Sequence, residues 1–299
     1  MIKHKICKIL LVILAIFLCV AFYELLGICV AYKKQPEVSN TTKKETKNGS
    51  WNECSENTER AVIIEKNPEA LLQRVRLIKN AKKEIILSTF AFQSDESGKL
   101  ILGALHDAAD RGVHIRLLVD GMESWIDMEG NPYFYGLSSH ENVEIKLYNK
   151  ANPLKPWKMM GRMHDKYLIA DGKRYILGGR NTYNYFLGDF PGHKNYDRDV
   201  LVVCDEPEKE NSVNQLSEYF ETIWNQEDSG YFHDNKKLAN RKSVKNAVLE
   251  LQNSYQKYFE ENKERICETD YTDETFETEK ITLVSNPIHT GSKEPVVWY

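Results

Sequence analysis

MHDKYLIADGKRYILGGRN, residues 163–181, holds two apolar runs, KYLIAD (166–171) and RYILGG (174–179), on either side of Gly172-Lys173. Runs of this length, rich in Tyr and Ile and parted by a glycine-containing turn, read as two paired strands. His164 and Lys166 stand two apart, the spacing that sends both side chains out of one face of a strand. Gly178 and Gly179 close the second run and let the backbone come near a bound anion, with the amide of Asn181 just beyond.

Upstream, AVIIE (61–65) is a short strand, and Asn67-Pro68 opens a helix with Leu71, Val75 and Ile78 on one face. EIILSTFAF (84–92) is apolar almost throughout, as for a strand covered on both faces. SGKLILGALHDAADRG (97–112) is a helix between Ser97 and Gly112, and VHIRLLVD (113–120) and VEIKLY (143–148) are further strands. Alternation of this kind predicts an α/β fold, with a mixed, mostly parallel sheet flanked by helices. Such sheets carry their ligand sites at the carboxyl ends of the strands. Downstream follow a strand (DVLVVC, 199–204), an amphipathic helix (VNQLSEYFETIW, 213–224) and a charged helical stretch over 236–265. An acidic stretch (ETDYTDETFETEK, 268–280) reads as an exposed connector.

The motif H-x-K-x4-D-x6-G-G-x-N is complete from His164 to Asn181. It resembles the signature of the phospholipase D superfamily. The strand ending in Thr-Phe-Ala-Phe, the Asp95 loop, the helix ending Ala-Ala-Asp-Arg-Gly-Val, LLVD, Arg162 and Asp197-Arg198-Asp199 are similar to bacterial cardiolipin synthases and their relatives, over about residues 60–225. The resemblance implies phosphodiester attack by a nucleophilic histidine through a phosphohistidine. It also implies a downstream acid that fixes the histidine tautomer, for which Asp199 is the best match and Asp197 the fallback.

The residue chemistry agrees. A neutral imidazole such as His164 can form a covalent intermediate. Lys166 brings positive charge to the phosphate oxygens and Asn181 a directional N–H donor, so the expected site has no metal and no cofactor. Arg162, Gly178 and Gly179 are further candidates for holding the phosphate. Asp171, although part of the motif and a candidate catalytic residue, reads better as an architectural residue at a strand end. Residues 150–198 hold ten Lys or Arg against four Asp, in a chain of net charge −4. That local excess steers an anionic substrate. Taken singly, Lys155, Lys158, Lys173 and Arg174 read as solvated loop or turn residues. His106 and His114 read as structural or surface residues, and His193 as a loop residue at least as readily as one lining the cleft. Trp157, Met159 and Met160 suit core packing more often than contact with a lipid chain.

The 299 residues, 41% hydrophobic, fit one or two globular domains, and the pI of about 6.1 argues against nucleic acid as the partner. Cys7, Cys19 and Cys29 lie in the apolar N-terminus; Cys54, Cys204 and Cys267 have no metal-ligand spacing. Lys3, Lys5 and Lys8 precede an apolar run from Ile9 to Tyr32, interrupted at Glu24, which has the length a bilayer core needs from a helix. An uncleaved membrane anchor is favoured over a signal peptide, because no convincing small-residue cleavage site follows. Residues 1–34 are thus the anchor, 35–59 a polar linker and 60–265 the phospholipase D-like domain, with the acidic connector beyond. The domain is expected on the extracytoplasmic side, although Lys33, Lys34, Lys43, Lys44 and Lys47 oppose that orientation.

His164 is the only histidine followed two positions later by lysine, whereas family enzymes use two such motifs, one histidine as nucleophile and one as general acid. ITLVSNP (281–287) echoes AVIIEKNP (61–68), as the first strand of a second repeat would. The expectation is therefore a half-site, completed by a second copy of the chain or by a partner carrying the other motif. The expected reaction is phosphatidyl transfer on phospholipids, as in cardiolipin synthesis, with phospholipase D hydrolysis as the alternative. A metal-independent nuclease and an inactive half-domain rank behind them.

Overall fold

The computed structural model describes residues 2–33, 59–158, 161–206, 211–233 and 236–285. Most of the polar linker, Cys54, Met159, Met160 and the end of the second-repeat echo from Asn286 onward lie outside the described residues. The chain divides into two compact units. One takes in residues 1–50, 151–162 and 288–299, the other 51–150 and 163–287.

In the first unit, helix α1 (Ile2–Lys33) contains the apolar stretch Lys5–Val30, 26 residues with a mean hydropathy of 2.9. Among the described residues it is one helix long and apolar enough to cross a membrane. Residues 156–158 form a single 3-10 turn.

The second unit is built on a nine-stranded sheet. Its strands are β1 (Arg60–Ile64), β2 (Glu84–Thr89), β3 (His114–Asp120), β4 (Val143–Tyr148), β5 (Lys166–Ala170), β6 (Arg174–Gly178), β7 (Asp199–Val203), β8 (Ser229–Tyr231) and β9 (Phe276–Glu277). The order across the sheet is β8-β4-β3-β2-β5-β6-β7-β1-β9. A mixed sheet flanked by helices is what the alternation of elements predicts, but its parallel part is confined to β2-β3-β4. Every other pairing is antiparallel. The reason is local: two strand–helix–strand crossovers lead as far as β4, and after residue 163 come the β5–β6 hairpin and a long loop, 179–198, that brings β7 back beside β6. Asp171 and Gly172, with φ of 55° and 63°, form the tight turn between β5 and β6, closed by a bond from the Lys173 N–H to the Ala170 carbonyl (3.0 Å).

The helices are α2 (Asn67–Asn80), α3 (Glu96–Asp110), α4 (Gly121–Asp127), α5 (Pro132–Ser138), α6 (Ser212–Trp224), α7 (Lys242–Glu261) and α8 (Lys263–Cys267). α2, α3 and α7 cover one face, where Leu71, Val75, Leu102, Leu105 and Leu251 join Ile85, Leu87, Ile115 and Leu117 in one buried cluster. α6 covers the other face, its Phe220 against Tyr167 and its Ser212 bonded to the Tyr175 hydroxyl (2.8 Å). α3 is capped by Asp95, whose carboxylate accepts from the Gly98 N–H (3.0 Å), two residues ahead of the Ser97 start that the sequence suggests.

The acidic stretch after residue 267 is docked, not merely exposed. The Arg76 guanidinium lies 3.8 Å from the centre of the Tyr271 ring, pairs with Glu274 (2.8 Å) and donates to the carbonyls of Glu268 and Asp270. Arg60 holds Thr275 and Glu277 in the same way, and β9 then adds to the edge of β1. The sheet domain therefore extends past residue 265. Residues 281–285 carry no strand; the Leu283 N–H bonds to the Gln215 side chain (3.1 Å).

Candidate active site

β5 runs antiparallel to β2, so its first residue meets the last of β2: Lys166 pairs with Thr89. Along the same level of the sheet, Gly178 pairs with Asp199. The motif thus starts at the carboxyl ends of β2 and β3, where parallel strands present ligand sites. His164 and Lys166 do not share a strand. β5 begins at Lys166, and His164 lies on the exposed segment just before it.

Three contacts fix that segment. The Met163 N–H donates to Asp120 Oδ2 (3.0 Å), while Asp120 Oδ1 accepts from the N–H groups of Met122 and Glu123. Asp120 is 1% exposed at the end of β3, so one buried carboxylate both caps α4 and holds the residue next to His164. On the opposite side the Tyr219 hydroxyl donates to Asp165 (2.9 Å), and burial pushes the Asp165 carboxyl and the Tyr219 phenol upward. The third contact is Phe90, whose ring meets the His164 imidazole edge-on at 4.7 Å.

Lys166 is 5% exposed; its ammonium donates to the His164 carbonyl (2.6 Å) and lies 5.4 Å from the Phe90 ring centre. Burial pushes its pKa down to about 8, against the opposing pull of Asp165 and Asp197. The strand that ends in Gly178 continues into a loop that knits to the one after β2. The Thr182 N–H bonds to the Ala91 carbonyl (3.1 Å), the Gln93 N–H to the Thr182 carbonyl (3.2 Å), and the Ala91 N–H to Asn181 Oδ1 (3.2 Å). With its oxygen engaged, the Asn181 amide keeps its two N–H groups for donation.

The space beside the two motif glycines is taken up by carboxylates. A Cβ on Gly178 would run into the carboxylate of Asp199, and a Cβ on Gly179 into that of Asp197. Asp199 itself is committed elsewhere: it is fully buried, paired with Arg74 (2.9 Å) and Arg180 (3.2 Å). Arg180 also donates to Asn67 and to the carbonyls of Ile64 and Glu65. Asp199 is therefore part of a core ion cluster, while Asp197 lies over Gly179 and within electrostatic reach of Lys166. Asp171 stands at the far end of β5 from Lys166. Its carboxylate accepts from the N–H groups of Lys82, Lys83 and Glu84 and so ties the β5–β6 turn to the start of β2. Arg162 and Trp157 belong to the first unit.

Three other histidines weighed from the sequence are engaged locally: His106 with Asp110, His114 with Glu144 and Glu84, and His193 against the Tyr185 ring. Among the described residues, no cluster of three or more His, Cys, Asp or Glu side chains has a metal-binding arrangement. The residues that sequence reasoning missed are Phe90, Asp120 and Tyr219. Asp120 alone had a sequence signal, as a carboxylate ending an apolar strand.

An exposed histidine on a segment braced at the strand ends, beside a buried lysine and an oriented amide, is the arrangement that the phospholipase D-like motif describes. The chain belongs to the phospholipase D superfamily: the family described as "Cardiolipin synthase, PLD-like domain" matches residues 74–224. It is 30% identical over 212 residues to an uncharacterised protein of Helicobacter pylori strain J99, covering 66% of this chain and 39% of that protein. It is 30% identical over 154 residues to cardiolipin synthase C of Escherichia coli K12, covering 47% and 31%. The chain thus spans less than two fifths of the length of these relatives. Among solved structures, a phosphatidylserine synthase of Haemophilus influenzae Rd KW20 aligns over 74% of this chain and 48% of its own, with a TM-score of 0.48 and 17% identity.

Proposed function

We propose that this chain contributes one half-site of a phospholipase D-type enzyme that moves a phosphatidyl group between alcohols on membrane phospholipids. The observation that carries the proposal is the pairing of exposed His164 with buried Lys166, beside an Asn181 amide whose oxygen is already held. His164 attacks phosphorus, a P–N bond forms, and the bond from phosphorus to the departing alcohol breaks. The alcohol takes its proton from the histidine of a second half-site. That same histidine, now a base, removes a proton from the acceptor alcohol as its oxygen displaces His164. Lys166 and the Asn181 N–H groups stabilise the charge on the equatorial oxygens. Asp197 is the acceptor that holds the imidazole in its reactive tautomer. The second half-site comes from another copy of this chain or from a partner with its own His-x-Lys motif. α1 is read as a single-pass anchor, with the sheet domain on the extracytoplasmic side.

Incubation with labelled phosphatidylglycerol tests the reaction. Cardiolipin plus glycerol, dependent on His164, is the expected outcome. Phosphatidic acid instead means that water resolves the intermediate, and His164-dependent turnover of single-stranded DNA alone would make the enzyme a nuclease. An acid-labile phospho-adduct is expected in the wild type and lost in His164→Ala. An adduct that persists in the variant rejects His164 as the nucleophile.

A further inference from the structure

Residues 151–162 belong to the same compact unit as α1. The Tyr23 hydroxyl donates to the Leu154 carbonyl (3.0 Å). At Gly27 a side chain would run into the Pro156 ring and the Trp157 main-chain nitrogen, so the segment lies on the helix backbone itself. Ala21, Glu24, Gly27 and Ile28 are the partly covered positions here, while Phe22, Leu25, Leu26 and Val30 stay open. The covered stripe follows helical spacing. It also turns Glu24 away from the open, apolar side, where a carboxylate is costly against lipid.

The apolar stretch Lys5–Val30 is roughly 39 Å long at helical rise, about 9 Å more than a bilayer's hydrocarbon core. The turns around Tyr23–Ile28 therefore approach the headgroup layer, and the segment resting on them has the composition of that layer. Leu154 is 78% exposed, Lys155 is exposed and Trp157 is half-buried. Tyr and Trp favour the interface, and lysine extends its charge toward phosphate.

We propose that residues 151–158 form a strap lying in the lipid headgroup layer against the exit end of α1. Leu154 and Trp157 reach toward the acyl chains and Lys155 toward lipid phosphate. The proposal rests on the reading of α1 as a membrane anchor. Lys158, the end of the strap, is six residues before His164 in the sequence.

The test uses the full chain in vesicles of phosphatidylglycerol and phosphatidylethanolamine, with lipids brominated either near the headgroup or near the acyl terminus. The protein is expected to float with the vesicles. The tryptophan fluorescence lost to shallow bromine in the wild type, minus that lost in Trp157→Phe, should be clearly positive and should vanish with deep bromine. Gly27→Leu should still float yet lose the shallow component. Shallow quenching unchanged in Trp157→Phe, or retained in Gly27→Leu, overturns the strap while leaving the anchor intact. A chain that does not float removes the anchor, and the strap with it.

Discussion

The ammonium group of a lysine only 5% exposed, at the strand ends in the middle of a sheet, holds its proton less tightly than one in water, and Lys166, pushed down from 10.5 to about 8, is in that position. The charged form is the one that stabilises phosphate. The alkaline limb of the pH profile should therefore include a decline through about 8, whereas a solvated lysine would hold its charge to about 10. Turnover measured against pH at constant ionic strength checks this, and a profile level to pH 10 would reject it. Lys166→Arg keeps its charge, so its slower turnover should lack the part of the alkaline decline that falls near 8. The glycines separate two roles that lie one residue apart. Gly179→Ala pushes on Asp197 and should lower turnover by about 10-fold or more with little change in denaturation midpoint. Gly178→Ala pushes on buried Asp199 and the backbone beside it, and should cost about 1–3 kcal/mol of stability in urea titration. Equal stability losses in the two variants would contradict this division. The sequence showed both acids but not their difference, because Asp199 is claimed by Arg74 and Arg180, and Arg74 lies 125 residues away in the chain.

At the scale of elements, the Arg76 contacts explain why an acidic, strand-poor segment folds down at all. One guanidinium, 2% exposed, satisfies two carbonyls and a carboxylate and stacks on Tyr271, and β9 is added to the sheet only beyond that point. Arg76→Ala leaves those acceptors without their donor and should cost about 2–4 kcal/mol, with faster hydrogen exchange across residues 268–277 than across β2. Uniformly unchanged exchange there would mean that β9 docks independently of Arg76. The charge pattern alone suggested a connector, since a single buried arginine on α2 is silent in the acidic segment itself. The long strands, the β5–β6 hairpin and the helices α2, α3 and α6 were legible because apolar periodicity and the turn signal at Gly172-Lys173 mark them, although the turn itself falls one residue earlier, at Asp171-Gly172. α4, α5 and β8 were not, being only 7, 7 and 3 residues long and fixed by tertiary capping and edge pairing. The sheet's mostly antiparallel character was hidden for a similar reason: the strand–helix alternation that suggests parallel pairing holds only as far as β4.

For the whole molecule, the decisive question is what supplies the second histidine of the mechanism proposed for His164. If two copies of this chain meet across a twofold axis, each dimer holds a single composite site that needs both of its histidines. Wild type and His164→Ala chains mixed and allowed to exchange then give activity that follows the fraction of wild-type pairs. An equal mixture retains about a quarter of the starting activity per total chain, because activity scales as the square of the wild-type fraction under random pairing. A chain completed by a separate partner behaves differently: the variant only dilutes it, and activity falls linearly to about half. Light scattering of the same mixtures ties the kinetics to mass, since the quadratic response requires a dimer at the assay concentration. A monomer with linear dilution and activity restored by a chain bearing the second motif would assign the general acid to that partner, leaving His164 as the nucleophile in either arrangement.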